Sequence, residues 1–543
     1  MPTLSPTQTE QFVDLGFPLA GIDLSNGFNR QMPRQMLNGE WGRTTPAGQN
    51  VRGFEYGTQR FRGGQRPGLV QYVPVAVVAG WMLQEIALLV GDGYNPPGGH
   101  MQTSPSGRVV TLVAVSQGNV FVANAGDTVW TSAINNTGLN PPLNFSGLIY
   151  SAPNNQKLWF ADGINWCYYD PSINTVQPWV AKAGGQLPVD NLNNTPRLIV
   201  TWRGRTCLSG LLNDPQNMFF SAVSDPTDFN YSPLSQTPTQ AVALNLSPLG
   251  LIGDVVTTMI PYNDDVMLVG GDHTIYQISG DPMAGGQIDL ISDAIGMAYG
   301  IPWCKDPYGN VYFLSNRTGI YTIRPGQQPQ RISQPIEQLL LNIDTGANGI
   351  RLLWNDRYQG LHVFVTPLAA PGVTTHFFYE QRTGAWWTDQ LGSTNLDPLC
   401  CCTFDGNTPG DRVPLIGSWD GYVRAISPTA TTDDGFPIAS SVTLGPILTG
   451  DLDDMLLKDM QSVLGETSGQ VRYDLFVGTS AEKALAAGSI RNGLWNAGRN
   501  FTGAERRAGH AIWVKITSSN PWSMETIRAR IATSGKIRRR AGT

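Results

Sequence analysis

LIYSAPNNQKLWFA (148–161) and RLIVTWRGRTCLSG (197–210) share one pattern: an apolar run, a polar turn holding Asn, Arg or Gly, and a second apolar run ending near a small residue. The pattern recurs as TLVAVSQGNVFVA (111–123), TTMIPYNDDVMLVG (257–270), IPWCKDPYGNVYFLS (301–315), RLLWNDRYQGLHVFV (351–365) and LCCCTFDGNTPGDRVPLIGS (399–418). Each copy reads as an antiparallel hairpin, because two β-rich runs flank a turn whose residues tolerate positive φ. Successive copies start 37, 49, 60, 44, 50 and 48 residues apart. A unit of about 40–50 residues with about four strands is the spacing of β-propeller blades. The repeat therefore predicts an all-β fold with a propeller of six or seven blades, six if the first and last copies complete one blade between them. A sandwich of several hairpins is the competing architecture. Neither a WD series nor a kelch double glycine is present, so the repeat belongs to neither of those families.

Composition agrees with an all-β chain. The 543 residues include 61 Gly and 38 Pro, and only 14% are charged, a turn-rich balance poor in the residues that favour long helices. Three stretches read as helical: 335–343, 453–465 and 481–488. The length exceeds one ordinary core and predicts more than one domain. Residues 1–65 lack periodicity and read as an extended arm that becomes ordered on a partner. Residues 66–435 hold the propeller. Residues 436–543, with longer strands such as VRYDLFVG (471–478) and AIWVKITSS (511–519), read as a C-terminal β-sandwich-like assembly domain with a basic tail.

No basic-then-apolar leader opens the chain. The most apolar window, YVPVAVVAGWMLQEIALLV (72–90), is interrupted by Pro74, Gln84 and Glu85, so it reads as two core strands and predicts no membrane span. Six Cys occur, with Cys400, Cys401 and Cys402 consecutive in an apolar run. Neighbouring strand residues face opposite ways, so these read as small buried hydrophobes in a reducing compartment.

The net charge of −6 hides a strong asymmetry. Residues 30–66 hold seven Arg against Glu40 and Glu55, and residues 491–540 hold eleven Lys or Arg against Glu505 and Glu525. The intervening residues 67–490 carry 18 basic and 35 acidic groups. The basic flanks make Arg30, Arg34, Arg60, Arg62, Arg66, Arg538, Arg539 and Arg540 the candidate partner contacts, toward an acidic protein or toward phosphates, with a merely solvated face as the remaining reading. No aromatic interleaving or DNA-binding module accompanies them. An acidic propeller does not grip DNA, but it is suited to a passage along which DNA slides.

Catalytic signatures are sparse. The five His form no HExxH or HxH pair, no CxxC is present, and neither a GxSxG elbow nor a phosphate-binding GxxxxGK[ST] occurs. His362 and His376 sit in strand contexts and read as hydrogen-bonded structural residues. Sugar chemistry is the enzymatic rival, since 15 Trp offer stacking surfaces, but it needs two carboxylates flanking the bond. The conspicuous acids lie in turn settings, 263–265, 419–421 and 432–435, where Asp serves turn geometry. Calcium at such turns lacks the EF-type spacing. The expectation is a non-enzymatic chain without cofactor or metal.

Several segments resemble a known family. RLIVTWRGRTCLSGLLNDPQNMFFSAVSDPTDFNY (197–231), DDVMLVGGDHTIYQISGDP (264–282), AIGMAYGIPWCKDPYGNVYFLSNRTGIYTI (294–323), LWNAGRNFTG (494–503) and NPWSMETIRARI (520–531) are similar to the tail nozzle, or phage stabilisation, proteins that connect head to tail in short-tailed bacteriophages. The resemblance implies a structural virion protein, assembled in the bacterial host cytoplasm. It further implies a homo-oligomeric ring, a hexamer, below the portal and adaptor, which continues and closes the DNA channel. Its implied partners are further copies, portal and adaptor proteins, tail fibre, spike or needle proteins, and viral DNA passing without sequence-specific binding. The alternative is a carbohydrate-binding or glycan-cleaving propeller of a phage tail. It predicts exposed Trp beside paired carboxylates, where the nozzle reading predicts Trp buried between blades.

Overall fold

The repeated hairpins turn through residues that accept positive φ. Asn155 (51°) and Gln156 (59°) join Tyr150–Asn154 to Lys157–Ala161, and Arg203 (51°) and Gly204 (70°) join Leu198–Trp202 to Arg205–Ser209. Two successive positive-φ residues match the right-handed twist of the flanking strands, so the hairpin closes without splaying. In this computed structural model the described residues are 10–25, 27, 33–92, 108–124, 126–233, 237–247, 249–317, 319–406, 410, 412–448, 454–505 and 507–533.

Seven sheets of about four strands form a propeller. The innermost strands, in ring order, are Leu83–Asp92, Tyr150–Asn154, Leu198–Trp202, Val256–Pro261, Trp303–Lys305, Asn348–Asn355 and Pro398–Asp405. Apolar clusters fill the gaps between neighbouring blades. Leu83, Leu112 and Val110 of blade 1 pack on Phe404 and Leu415 of blade 7, closing the ring. Trp159 and Trp179 of blade 2 meet Leu208 and Phe220 of blade 3, and Leu268 of blade 4 meets Phe313 of blade 5.

The fourth strand of blade 7 is Gly68–Gln71, which runs antiparallel to Val423–Ser427. Blade number is therefore seven: the first and last copies occupy separate sheets, and a strand ahead of the repeats completes the last blade. The first copy is out of phase. Its hairpin, Arg108–Ser116 with Asn119–Asn124, supplies the second and third strands of blade 1, whereas the other six copies supply the first and second. That shift accounts for the short first spacing. The apolar window 72–90 contributes one strand rather than two. Leu83–Asp92 forms the inner strand, while residues 72–82, interrupted by Pro74 and by Gly80 at φ 76°, are held by backbone bonds from Tyr72 to Val423 and from Val77 to Gly421.

Beyond blade 7 the chain forms two facing sheets. One holds Ser440–Leu448, Ala511–Ser518, Val471–Gly478 and Arg491–Trp495; the other holds Gly498–Thr502, Met455–Leu464 and Ser523–Thr533. Met455–Leu464 lies in the stretch that reads as a helix from sequence. Its residues alternate between buried and half-buried around one bulge, so the strand period prevails once two sheets compete for its apolar side. The other expected helices form as short turns, Glu337–Leu340 and Ala481–Ala486. Ser480 caps the second, its hydroxyl accepting from the Lys483 N–H at 3.2 Å. Among the described residues no helix is long and apolar enough to cross a membrane.

The N-terminal segment is extended, but its described part is built into its own chain rather than awaiting a partner. Glu10–Asp14 pairs along Ser523–Thr533, and the hairpin Val51–Glu55/Arg60–Gln65 continues that same sheet. The two-residue strand Gly48–Gln49 lies between the outer strand of blade 6, Ala385–Asp389, and Ser440–Leu448 of the sandwich. One nine-stranded sheet thus runs from the propeller axis through blade 6 to the far edge of the sandwich. The core is equally continuous: Trp386 and Trp387 of blade 6, Val51 of the arm, and Val442, Ile512 and Trp522 of the sandwich belong to one buried cluster. At Gly48 a Cβ would stand 2.8 Å from the Trp387 ring, so a larger residue there must displace an indole that is fully buried.

The arm closes two elements at once, so its loss differs from loss of a tether. Deleting residues 1–60 removes Gly48–Gln49 and Val51–Glu55, and we expect it to unfold the sandwich. Gly48→Val, which keeps the chain length, should destabilise by about 2–4 kcal/mol through overpacking and the lost stitch. Urea denaturation checks both; a native-like midpoint for Gly48→Val would refute the stitch.

Candidate functional site

The candidate contacts of the N-terminal flank divide once placed. Arg66, although it reads as a partner contact from sequence, is buried: its guanidinium donates to both Asp433 carboxylate oxygens at 2.9 and 2.6 Å, and its Nε donates to Asn50 Oδ1 at 2.9 Å. Arg62 is also largely internal, bridging Glu55 at 2.6 Å and Glu525 at 2.5 Å. Arg34 is half-buried and donates to the Gly384 carbonyl at 2.9 Å. Arg60 is exposed. Arg30, Arg538, Arg539 and Arg540 lie outside the described residues. The correction has a simple cause: a charge count cannot distinguish an Arg whose Asp partner lies some 370 residues away from one that faces solvent.

Arg52, which no motif marks, pairs with Asp389 at 2.8 and 2.5 Å and stacks over the Phe378 ring at 3.9 Å. Burial works to raise the Asp389 carboxyl, but Arg52 and then Arg66 hold it below the usual carboxylate range. His362 in the same region is buried; burial first, then Arg52, pulls its imidazole down to about 3. It serves as a neutral packing group against Phe364 and Phe378. His376 is likewise structural, with Nδ1 accepting from the Val365 N–H and Nε2 3.1 Å from Asp397.

Asp420, Asp433 and Asp434 read as turn formers from sequence, yet they are ion-pair partners as well. Arg424 is held by Asp420 at 2.7 Å and Asp434 at 2.8 Å, and Arg66 by Asp433. Asn263 does serve its turn, with Oδ1 accepting from the Asp265 and Val266 N–H groups. The Cys400–Cys402 run alternates as a strand must. Cys400 is buried beneath the Leu83 carbonyl, its neighbours are half-buried, and burial pushes all three thiols up. None is poised as a thiolate nucleophile.

The propeller axis is filled by charge. Arg351 of blade 6 reaches across to Glu85 of blade 1 at 3.5 Å, lies over the Tyr150 ring of blade 2 at 5.0 Å, and donates to the Leu399 carbonyl of blade 7 at 3.0 Å. Arg351 and Glu85 stand on non-adjacent inner strands, so this buried cluster occupies the axial side of blades 6, 7, 1 and 2. Burial, partly offset by Arg351 and then by the Ser151 hydroxyl, pushes the Glu85 carboxyl up to about 7. Glu380, at the junction of blade 6 with the arm, is 1% exposed, and neither carboxyl oxygen has a hydrogen-bond partner among the described residues. Burial, partly offset by Arg382 and then Arg52, pushes it up to about 7 as well. Two carboxyls with raised pKa values invite an acid–base reading. They stand at different places, one between inner strands and one under the arm, and both are closed from solvent, so they do not form the paired carboxylates of a glycosidase.

Both acids are protonated more readily in the folded chain than in the unfolded one, where the ordinary value is 4.5. Their contribution is fully present below about pH 4.5 and is lost as pH rises through about 7. Glu380→Gln keeps the shape and removes the ionisation. We expect its urea midpoint to match wild type near pH 5 and to exceed it at pH 8, by on the order of 2 kcal/mol in stability. Parallel wild-type and variant curves across pH 5–8 would show that Glu380 does not titrate there.

No family model matches this chain, and no curated protein matches it. Among solved structures it is similar to the extracellular domain of BT4673 from B. thetaiotaomicron, a hybrid two component system by its name. That match has 13% identity and a TM-score of 0.41, over 83% of this chain and 59% of that one. It is also similar to YCF48 from Cyanidioschyzon merolae, at 10% identity and a TM-score of 0.38, over 66% of this chain and 99% of that one. BBS1N in complex with ARL6DN matches at 11% identity and a TM-score of 0.38, over 67% and 99%. The chain spans about three fifths of the length of the first of these. At such identities likeness extends to the fold alone, and the propeller rests on its own seven sheets.

Proposed function

We propose that this chain is a structural virion protein of a short-tailed bacteriophage: a tail nozzle or hub subunit that assembles as a homo-oligomeric ring below the portal and adaptor. The ring continues and closes the DNA channel, retaining the genome until ejection. The observation that carries this reading is the nine-stranded sheet joining blade 6 to the sandwich. A closed ring uses heterologous interfaces, so each subunit must hold two different surfaces at a fixed angle. A sandwich hydrogen-bonded into a propeller blade and sharing its core holds that angle far better than a linker. The filled axis adds a constraint: DNA runs between copies, beside their propellers, and not through any one of them. The acidity of residues 67–490 suits a wall along which DNA slides.

The alternative, a carbohydrate-binding or glycan-cleaving propeller, is disfavoured by where the Trp residues lie. Trp159, Trp179, Trp202, Trp354, Trp386, Trp387, Trp495, Trp513 and Trp522 are buried. Trp41 and Trp81 are exposed, at 70% and 46%, but one is on the hairpin Pro33–Gln35/Trp41–Arg43 and the other precedes blade 1.

Native mass spectrometry of the full chain, alone and mixed with assembled portal–adaptor particles, tests the proposal. We expect subunits to add to the particles as a closed ring of about six. A chain that ignores the particles yet binds a glycan array would overturn it in favour of the sugar-recognising alternative.

A further inference from the structure

The axial face on which the seven inner strands begin carries a cavity of about 410 Å³. Its floor is Tyr150, the ring that covers Arg351. Tyr150 is 8% exposed and lines the cavity, and its hydroxyl has no hydrogen-bond partner among the described residues. Two further groups converge there. Arg197, just ahead of the inner strand of blade 3, donates its backbone N–H to the Ser209 carbonyl at 3.1 Å, while its exposed side chain lies along Gly163 and pairs with no described residue. Tyr299, ahead of blade 5, is 44% exposed and close enough to feel both Tyr150 and Arg197 electrostatically. Burial raises both tyrosines, so their hydroxyls stay protonated and able to donate. Gly300, at φ 98°, leaves room for the Tyr150 hydroxyl, since a Cβ there would stand 2.2 Å from its oxygen.

A guanidinium and two hydroxyls that pair with no described residue are free to meet an acceptor, and Arg recognises carboxylates through paired hydrogen bonds. Met82, Leu148 and Leu368 supply apolar lining to the same cavity. Asp162 also lines the cavity, but its carboxylate is already occupied by the N–H groups of Asn144, Ile164 and Asn165. Its negative charge opposes a dianion such as phosphate more than a single carboxylate. The volume falls within the range of small-molecule sites.

We propose that this axial mouth binds a small organic monocarboxylate, its carboxylate on Arg197 and the Tyr150 and Tyr299 hydroxyls and its apolar body against Met82, Leu148 and Leu368. The site is independent of the ring-forming role, because it is complete within one subunit.

Titration of the full chain with sodium benzoate, benzamide and inorganic phosphate, followed by ligand-observed NMR, tests it. Benzoate is expected to bind, benzamide to bind about tenfold more weakly, and phosphate to leave benzoate binding unchanged. Arg197→Gln, at an exposed side chain, should lose benzoate by about tenfold or more without change in melting temperature, and Tyr299→Phe should weaken it by a smaller factor. Equal binding of benzamide, displacement by phosphate, undiminished binding to Arg197→Gln, or no benzoate binding at millimolar concentration would each overturn the proposal.

Discussion

The outer edge of blade 6 is the constraint on which the architecture depends. A propeller blade ends in a strand with unpaired backbone groups, and such an edge must be covered, shortened or paired. Here Ala385–Asp389 takes the two-residue strand Gly48–Gln49 as its partner, and that strand in turn takes Ser440–Leu448. Asn50, at φ 55°, turns the chain out of this stitch, donating its N–H to the Thr388 carbonyl and accepting from the Gln390 N–H through its side chain. Because the stitch comes from the N-terminal segment and the next strand from the C-terminal one, the described parts of both segments meet at the outer edge of blade 6. The indoles of Trp386 and Trp387 then fall inside a core shared by the two domains.

Buried ion pairs reinforce that junction. Arg52 with Asp389, and Arg66 with Asp433, tie the arm to blades 6 and 7. Such pairs add little net stability relative to apolar substitutes, but each partner becomes an uncompensated buried charge if the other is displaced. Their consequence is specificity of placement: the arm finds one position because any other leaves a carboxylate or a guanidinium stranded. Glu380, under the same arm, accepts no hydrogen bond from the described residues and makes this junction, like the Glu85 site at the axis, sensitive to rising pH.

The functional readings follow from the same rigidity. A subunit whose propeller and sandwich share a sheet is suited to holding a defined angle within a ring. In the ring proposed above, a propeller whose axis holds Arg351, Glu85 and Tyr150 would leave passage to the space between copies. The cluster also borders the axial mouth, because the Tyr150 ring over which the Arg351 guanidinium lies is part of the cavity lining.

The hairpin repeat, the all-β composition and the burial of most Trp residues were legible in the sequence, because strand period and turn chemistry are local. TLVAVSQGNVFVA was recognisable as a hairpin, but its place as second and third strands was not, since phase depends on which earlier strand pairs with it. Met455–Leu464 has apolar residues spaced well enough for a helix, and only the two sheets beside it select the strand. Arg66 looked like a free cation until Asp433, a turn residue by its local context, arrived beside it. The sequence by itself determined the repeat, its turns and the class of fold. Tertiary structure alone decided the blade count, the integration of the arm and the filling of the axis, because each is a pairing between residues hundreds of positions apart whose partners no local pattern names.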